Sequence, residues 1–158
     1  MSHLCLIVID NIFTSKREEL LSQVEEKAHS CGVGIVSDLK ILNDKYQDII
    51  KCFNNTKVVY FSVSDKEGIV TCEDLLCPDW CNVHEKRDRS FVENLKILQE
   101  IVSVSSHNDT HIFVGMDLGL YNDYLEIHCQ LDNLVQTIQL LTEKEGYVPD
   151  LHIIVKNF

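Results

Sequence analysis

Three residues in the last third of the chain have the types and spacing of a metal-dependent hydrolase site. Asp117 follows an apolar, strand-like run, and Glu126 and His128 stand two positions apart on the next such run. Residues two apart on a strand point to the same face of a sheet. An acid at the end of one strand and a Glu-x-His pair on the next would therefore bring together two carboxylates and an imidazole. Such a donor set could hold Mg²⁺ and polarise a water molecule.

Over roughly residues 90–156, this pattern resembles the core of the restriction-endonuclease-like nucleases. The resemblance implies a metal-dependent hydrolase or nuclease that uses Asp117, Glu126 and His128. The chain departs from the family pattern at His128, where those enzymes normally carry lysine. It also has no cluster of Lys and Arg that would attract nucleic acid.

A second set of possible ligands lies in residues 64–86, where Cys72, Cys77, Cys81 and His84 follow one another. Three thiols and an imidazole are donor types of a tetrahedral zinc site. Their spacing is atypical, because structural zinc sites usually combine two close pairs of ligands separated by a longer interval. Buried free thiols are the alternative reading. We therefore expect no bound metal and no other cofactor.

Other catalytic templates are missing from the sequence, which has no phosphate-binding loop, no dinucleotide fingerprint and no nucleophile elbow. Asp10 ends the first apolar run, a position where α/β enzymes often keep a functional acid. Capping of a turn explains this residue equally well. We expect a protein without catalytic residues, with the metal-dependent hydrolase as the alternative.

The charge of the chain is concentrated in one segment. Acidic residues exceed basic ones by 25 − 14 = 11. Residues 107–150 hold eight of the acids and only one base, Lys144, so they carry −7 of the −11. Such a segment repels a phosphate backbone and attracts a basic surface. The expected partner is a basic protein, and not a nucleic acid.

Carboxylates and tyrosines alternate in the middle of this acidic segment. The residues predicted to contact the partner are Asp117, Tyr121, Asp123, Tyr124, Glu126 and Asp132. Tyrosine supplies rigid contact area, and carboxylates supply charge complementarity. In its size, acidity and lack of motifs the chain is similar in type to antitoxin-type immunity proteins. That similarity implies inhibition of a nuclease toxin, whose phosphate-binding sites the carboxylates would occupy.

Length and composition fit a single domain over residues 1–158. The apolar runs are far shorter than the ~20 residues of a membrane helix, so no membrane association is expected. Seven scattered cysteines indicate reduced thiols. The first residues lead directly into an apolar run without the pattern of a secretion signal. These features favour a cytoplasmic protein.

Hydrophobic periodicity predicts elements in the order β-α-β-α-β, an irregular insertion over residues 64–86, and then α-β-β-α-β. This alternation favours an α/β or α+β sandwich with a central mixed sheet flanked by helices. The strands at 110–116 and 124–130 are predicted to form a hairpin around Asp117–Asp123, and hence one antiparallel pair.

The helix ends carry recognisable signals. Ser15 with Glu18, and Ser90 with Glu93, have the spacing of a capping box. Residues 34–42 are predicted as a short strand, after which Asn43 or Asp44 would cap the second helix. Asp132 is predicted to cap the last helix.

Overall fold

A six-stranded mixed sheet organises the chain in the computed structural model, which describes residues 3–53, 56–66, 68–80, 89–105, 108–116 and 124–156. The strands are β1 (Leu4–Asp10), β2 (Gly34–Val36), β3 (Val59–Ser64), β4 (Asp109–Gly115), β5 (Leu125–Gln130) and β6 (Leu151–Lys156). The helices are α1 (Arg17–Ser30), α2 (Leu39–Ile50), α3 (Phe91–Ser103) and α4 (Leu134–Glu145). This mixed sheet with flanking helices confirms the predicted fold class.

The strands lie in the spatial order β2-β3-β1-β4-β6-β5. Neighbouring strands are antiparallel except for β5 and β6, which are parallel. Parallel strands need a crossover connection, and α4 supplies it. The last strand of the chain therefore lies inside the sheet, between β4 and β5.

This position of β6 shows that the predicted hairpin was wrong. β4 pairs with β1 and β6, whereas β5 pairs with β6 alone. The burial of the strands explains the order, since most of β6 is buried while four of the six β5 residues are exposed. A strand with apolar groups on both faces gains most from a central position, and a strand with one polar face suits an edge.

The two faces of the sheet carry separate cores. On one face, the alternate residues Cys5, Ile7 and Ile9 of β1 pack in a core shared with α1, α3 and α4. On the opposite face, Leu6 and Val8 pack in a core to which α2 contributes Leu42, Tyr46, Ile49 and Ile50. Among the described helices, α2 is the only one that contributes to this second core.

The starts of α1 and α2 differ from their predictions. A 3-10 turn over Thr14–Lys16 precedes α1, and no side chain caps that helix, so the predicted role of Ser15 was wrong. The strand predicted over residues 34–42 is shorter in the structure, where β2 covers only Gly34–Val36 and α2 already begins at Leu39. Its cap is Asp38, whose carboxylate accepts the N–H of Lys40 at 2.9 Å.

The start of α3 confirms its predicted cap, since the Ser90 hydroxyl accepts the N–H of Glu93 at 3.2 Å. At α4 the prediction was wrong. Asp132 lies in a 3-10 turn before the helix, whose N-cap Asn133 makes no side-chain hydrogen bond.

The described part of the insertion packs against the sheet. Thr71 bridges to Leu4 beside β1, and the Cys72 N–H donates to the carbonyl of His3 at 2.9 Å. The Asp65 carboxylate accepts the N–H groups of Asp74 at 2.8 Å and Leu75 at 3.0 Å.

The thiols of Cys72 and Cys77 are buried in this region. Burial raises the pKa of Cys72 well above its usual value. Its thiol donates to the carbonyl of His3 at 3.4 Å. The other two residues of the possible zinc set, Cys81 and His84, lie outside the described residues.

None of the helices in the described part of the chain is long and apolar enough to cross a membrane.

Candidate binding surface

Three of the six residues predicted to contact a partner lie on or beside β5. Glu126 lies on β5, with Tyr124 directly before this strand and Asp132 shortly after it. Tyr124 is half-buried, while Glu126 and Asp132 are exposed. The remaining three predicted contact residues, Asp117, Tyr121 and Asp123, lie outside the described residues.

Edge strand β5 positions Glu126 by simple alternation. Ile127 and Cys129 pack against the core that contains α3 and α4. Glu126 and His128 therefore point to the opposite face of the sheet. Their side chains are 59% and 51% exposed, and the Glu126 carboxylate lies 3.6 Å from Nε2 of His128. The two side chains of this Glu-x-His pair therefore lie next to each other on the exposed face of β5.

The same carboxylate leads to two further histidines on neighbouring strands. Glu126 Oε1 lies 3.8 Å from Nδ1 of His152, its lateral neighbour on β6. Nε2 of His152 lies 2.8 Å from Nδ1 of His111 on β4. We call these four residues, His111, His128, His152 and Glu126, the imidazole cluster. It crosses three strands on one face of the sheet.

Aromatic rings shield the inner half of the imidazole cluster. Phe113 stacks on His152 with ring centroids 4.2 Å apart, and Tyr124 meets the edge of Phe113 at 5.9 Å. Phe53, just beyond α2, approaches His111 edge-on at 5.0 Å. His152 is consequently buried although its ring is polar.

The shielding decides the protonation of these imidazoles. Burial lowers the pKa of His152 to about 4, with help from neighbouring His111, while the nearby Glu126 carboxylate opposes the shift. Burial also lowers the pKa of His111, against the carboxylates of Asp10, Asp109 and Glu126. Both rings are therefore neutral at pH 7.

The two neutral imidazoles share one hydrogen bond, and its direction depends on their tautomers. The Glu126 carboxylate favours the His152 tautomer with hydrogen on Nδ1. His152 Nε2 then accepts the Nδ1–H of His111. The imidazole cluster is thus a polar chain that runs from an exposed carboxylate into a shielded ring, and its neutral inner part adds no positive charge to this surface.

The structure describes only two of the three residues of the predicted hydrolase site. Glu126 and His128 share a face, but Asp117 lies outside the described residues. Within the described ranges, no three His, Cys, Asp or Glu side chains are grouped so that they could hold a metal ion. Asp10, the other candidate acid, accepts the N–H of Asn11 at 2.8 Å. Asn11 has a positive φ of 58°, so this carboxylate stabilises a turn.

The acids of the charged segment divide into internal and outward-facing groups. Asp150 accepts the N–H of Met116 at 3.2 Å. A side chain at Gly115 would collide with the same carboxylate. Asp109 accepts a hydrogen bond from the Asn11 side chain. These two carboxylates therefore hold the fold together at opposite ends of β4.

Four other acids face solvent along β5 and around α4. We call Glu126, Asp132, Glu143 and Glu145 the acidic edge, and all four are exposed. Among the described residues, ion pairs with Lys or Arg are formed by Glu19 and Glu100, and by none of these four. Because α4 runs back along β5, Glu143 and Glu145 lie near the start of that strand and Asp132 lies near its end.

Two histidines of the imidazole cluster were missed by the sequence reasoning. His111 and His152 each interrupt an apolar strand at a position whose neighbours face the main core. A lone imidazole on a buried strand is a weak signal on its own. The signal that could have found them is the phase of the alternation, which places His111, Phe113 and His152 away from that core.

Comparisons with protein-family models, with curated protein sequences and with solved structures find no match to this chain.

Proposed function

We propose that this protein is a non-enzymatic binding protein that neutralises a basic protein partner through the acidic edge. The observation that carries the proposal is a set of four exposed carboxylates at the sheet edge formed by β5, with Glu126 on one face of the sheet and α4 covering the other. None of the four has a Lys or Arg partner among the described residues. Uncompensated charges of one sign cost self-repulsion, which a basic partner relieves.

The geometry also supports a protein and not a polyanion as the partner. The acidic edge frames β5, which pairs only with β6 among the described strands. An unpaired strand edge presents backbone N–H and C=O groups that another chain can use. Phosphates would be repelled here, because these four carboxylates outnumber Lys144, the one Lys or Arg of residues 126–145. A nuclease toxin whose basic site the carboxylates fill is the partner class that we propose, in the cytoplasm, where thiols stay reduced.

The test is binding of the purified protein to a panel of purified basic nuclease domains, measured as association rate over a series of salt concentrations. One variant combines Glu126→Gln, Asp132→Asn, Glu143→Gln and Glu145→Gln. A matched control combines Glu25→Gln, Glu26→Gln, Asp44→Asn and Asp48→Asn, which are exposed acids on α1 and α2. Each variant changes the net charge from −11 to −7, since −11 + 4 = −7.

We expect the edge variant to associate about tenfold more slowly with a bound nuclease and to lose most of its salt dependence. The control should behave like the parent protein, and bound nuclease should lose activity. Equal losses in the two variants would mean that only net charge matters. That result, or no binding to any nuclease of the panel, overturns the proposal.

The metal-dependent hydrolase remains the alternative, and the proximity of Glu126 to His128 favours it over other enzyme classes. It requires hydrolysis of DNA or RNA that depends on Mg²⁺ or Mn²⁺ and disappears with Glu126→Gln. Glu143→Gln is the matched control, because it removes an exposed carboxylate outside the imidazole cluster. Metal-dependent cleavage that only the first substitution abolishes would replace the binding proposal.

A further inference from the structure

Two large aromatic side chains are exposed near the point where α4 ends. The Trp80 side chain is 53% exposed and that of Tyr147 is 49% exposed. The indole N–H of Trp80 donates to the carbonyl of Gly146 at 3.2 Å. Because Gly146 directly precedes Tyr147, this hydrogen bond holds the two rings at the same corner of the molecule. We call this pair the aromatic corner.

The backbone beneath the aromatic corner is firmly fixed. α4 ends in a left-handed cap at Gly146, with φ at +82°, and the Gly146 N–H donates to the carbonyl of Thr142 at 2.8 Å. Val148, the next residue after Tyr147, is fully buried. The Trp80 ring is held by its hydrogen bond to this backbone, so it loses little conformational entropy when a partner binds.

Two acidic side chains lie in the helical turn that leads to this corner. Glu143 and Glu145 are exposed in the last turn of α4. The carboxyl end of a helix carries the negative end of its dipole, so acids there are unfavourable and a cation is favourable. Lys144 is the only base in that turn. The corner thus combines exposed ring faces with a potential that attracts a cation.

The partner chemistry follows from this combination. Trp and Tyr faces attract cations, and the interaction is strongest for Trp and most frequent with Arg. A guanidinium group can also stack on a ring while it donates to a carboxylate. Trp, Tyr and Arg are the residue types most enriched among the anchoring residues of protein interfaces.

We propose that the aromatic corner is the anchoring point for an arginine side chain of the basic partner. The guanidinium stacks on Trp80 and Tyr147 and donates hydrogen bonds to Glu143 or Glu145. This inference rests on the proposed function and names the residues and the partner side chain that give the surface its selectivity. The acidic edge supplies long-range attraction, and the corner supplies a short-range preference for arginine over lysine.

Trp80 is the single tryptophan of the chain, so its fluorescence reports on this corner alone. The probes are an octa-arginine and an octa-lysine peptide, each labelled for anisotropy and also used unlabelled to follow tryptophan emission. We expect octa-arginine to change the emission of Trp80 and to bind more tightly than octa-lysine.

Single variants then locate the contact. Tyr147→Ala and Trp80→Ala should each weaken octa-arginine binding by about two- to fivefold, the range for a surface cation–π contact, and should affect octa-lysine less. Tyr147→Phe and Trp80→Phe retain a ring and should stay within twofold of the parent. The matched control is Phe13→Ala, which removes an 81% exposed ring beyond β1, at the opposite end of the sheet.

The outcomes separate the two proposals. One possible result is that octa-arginine binds the parent and binds the four-fold edge variant more weakly, while neither ring substitution changes its affinity and the peptide leaves the emission of Trp80 unchanged. Then the arginine anchor is wrong while the acidic binding surface stands. Equal affinity for the two peptides also overturns the anchor. No binding of either peptide to the parent protein overturns the anchor together with the electrostatic basis of the proposed function.

Discussion

The sheet face that packs against α2 has two halves, and polar side chains are buried in each half in a different way. Under α2, side chains of β1 and β3 meet the apolar residues of the helix. The polar groups there bond one another, since the Tyr46 and Ser62 hydroxyls lie 3.4 Å apart and Ser62 also donates to the carbonyl of Cys5. On β4, β6 and β5 the same face instead carries the imidazole cluster.

In the half without a helix, aromatic side chains shield the polar groups from solvent. Phe113 and Tyr124 supply apolar surface next to His152, and Phe53 does so next to His111. The inner imidazoles therefore remain uncharged, while Glu126 and His128 at the rim stay exposed. This face of the sheet is therefore apolar beside α2 and carries an exposed carboxylate, Glu126, at β5.

Phe113→Ala should have the largest effect, because this ring joins the apolar and the polar half. It is 1% exposed and lies in the same core as the α2 residues. Loss of a buried phenylalanine side chain typically lowers the free energy of unfolding by about 3–5 kcal/mol. Urea denaturation of parent and variant measures the loss. Phe13→Ala, at an 81% exposed position, is the control and should change little.

A loss below about 1 kcal/mol for Phe113→Ala would mean that the polar half is loosely packed and that the two halves are energetically independent. The comparison between them would then describe two separate surfaces and not one continuous core.

Acid should destabilise the polar half next most strongly. His152 has its usual pKa near 6.5 when unfolded and about 4 when folded. Between these values the unfolded chain binds more protons, so the free energy of unfolding is greatest above pH 6.5 and falls as the pH drops from 6.5 to about 4. The shift corresponds to about 2–3 kcal/mol lost between pH 7 and pH 4.

Urea denaturation at a series of pH values measures this loss. His152→Gln should flatten the dependence on pH, whereas His29→Gln, an exposed position on α1, should leave its slope unchanged. If the slope for His152→Gln matches that of the parent, the ring is not shielded as the contrast between the halves requires.

Glu126→Gln should have the smallest effect on stability. Its carboxylate is 59% exposed, so its pairs with His128 and His152 contribute below about 1 kcal/mol. The sharper readout is titration of the imidazole NMR signals. Removal of the carboxylate should lower the pKa of both His152 and His111, because Glu126 raises both.

Glu143→Gln removes an equally exposed charge away from the imidazole cluster and should leave those titrations in place. If Glu126→Gln leaves the pKa of His152 unchanged, the carboxylate does not interact with the buried histidines, and the edge strand and the interior are electrostatically independent.

Local sequence signals predicted those parts of the fold in which the interacting residues are close together in sequence. The Ser90 cap needs only Glu93, three residues away, and it formed as expected. The periodicity of the strands likewise predicted their existence and their order along the chain. Pairing depends on distant residues, and the nearness of β4 and β5 in sequence suggested a hairpin that β6 in fact separates.

The candidate surface was predictable only in part for the same reason. Glu126 and His128 could be placed together, because alternation on one strand is local. His111 and His152 are forty-one positions apart, and their contact depends on the pairing of β4 with β6. Trp80 reaches Gly146 across sixty-six positions. No spacing rule predicts contacts of that range.

The central place of β6 has a consequence for how the molecule assembles. While a nascent chain emerges from the ribosome, β5 precedes the only described strand with which it pairs. β4 can align with β1 earlier, but that contact closes a loop of about a hundred residues, which is slow. Pairing of β5 therefore waits for the synthesis of β6, and until then β5 is an unpaired strand exposed to other chains.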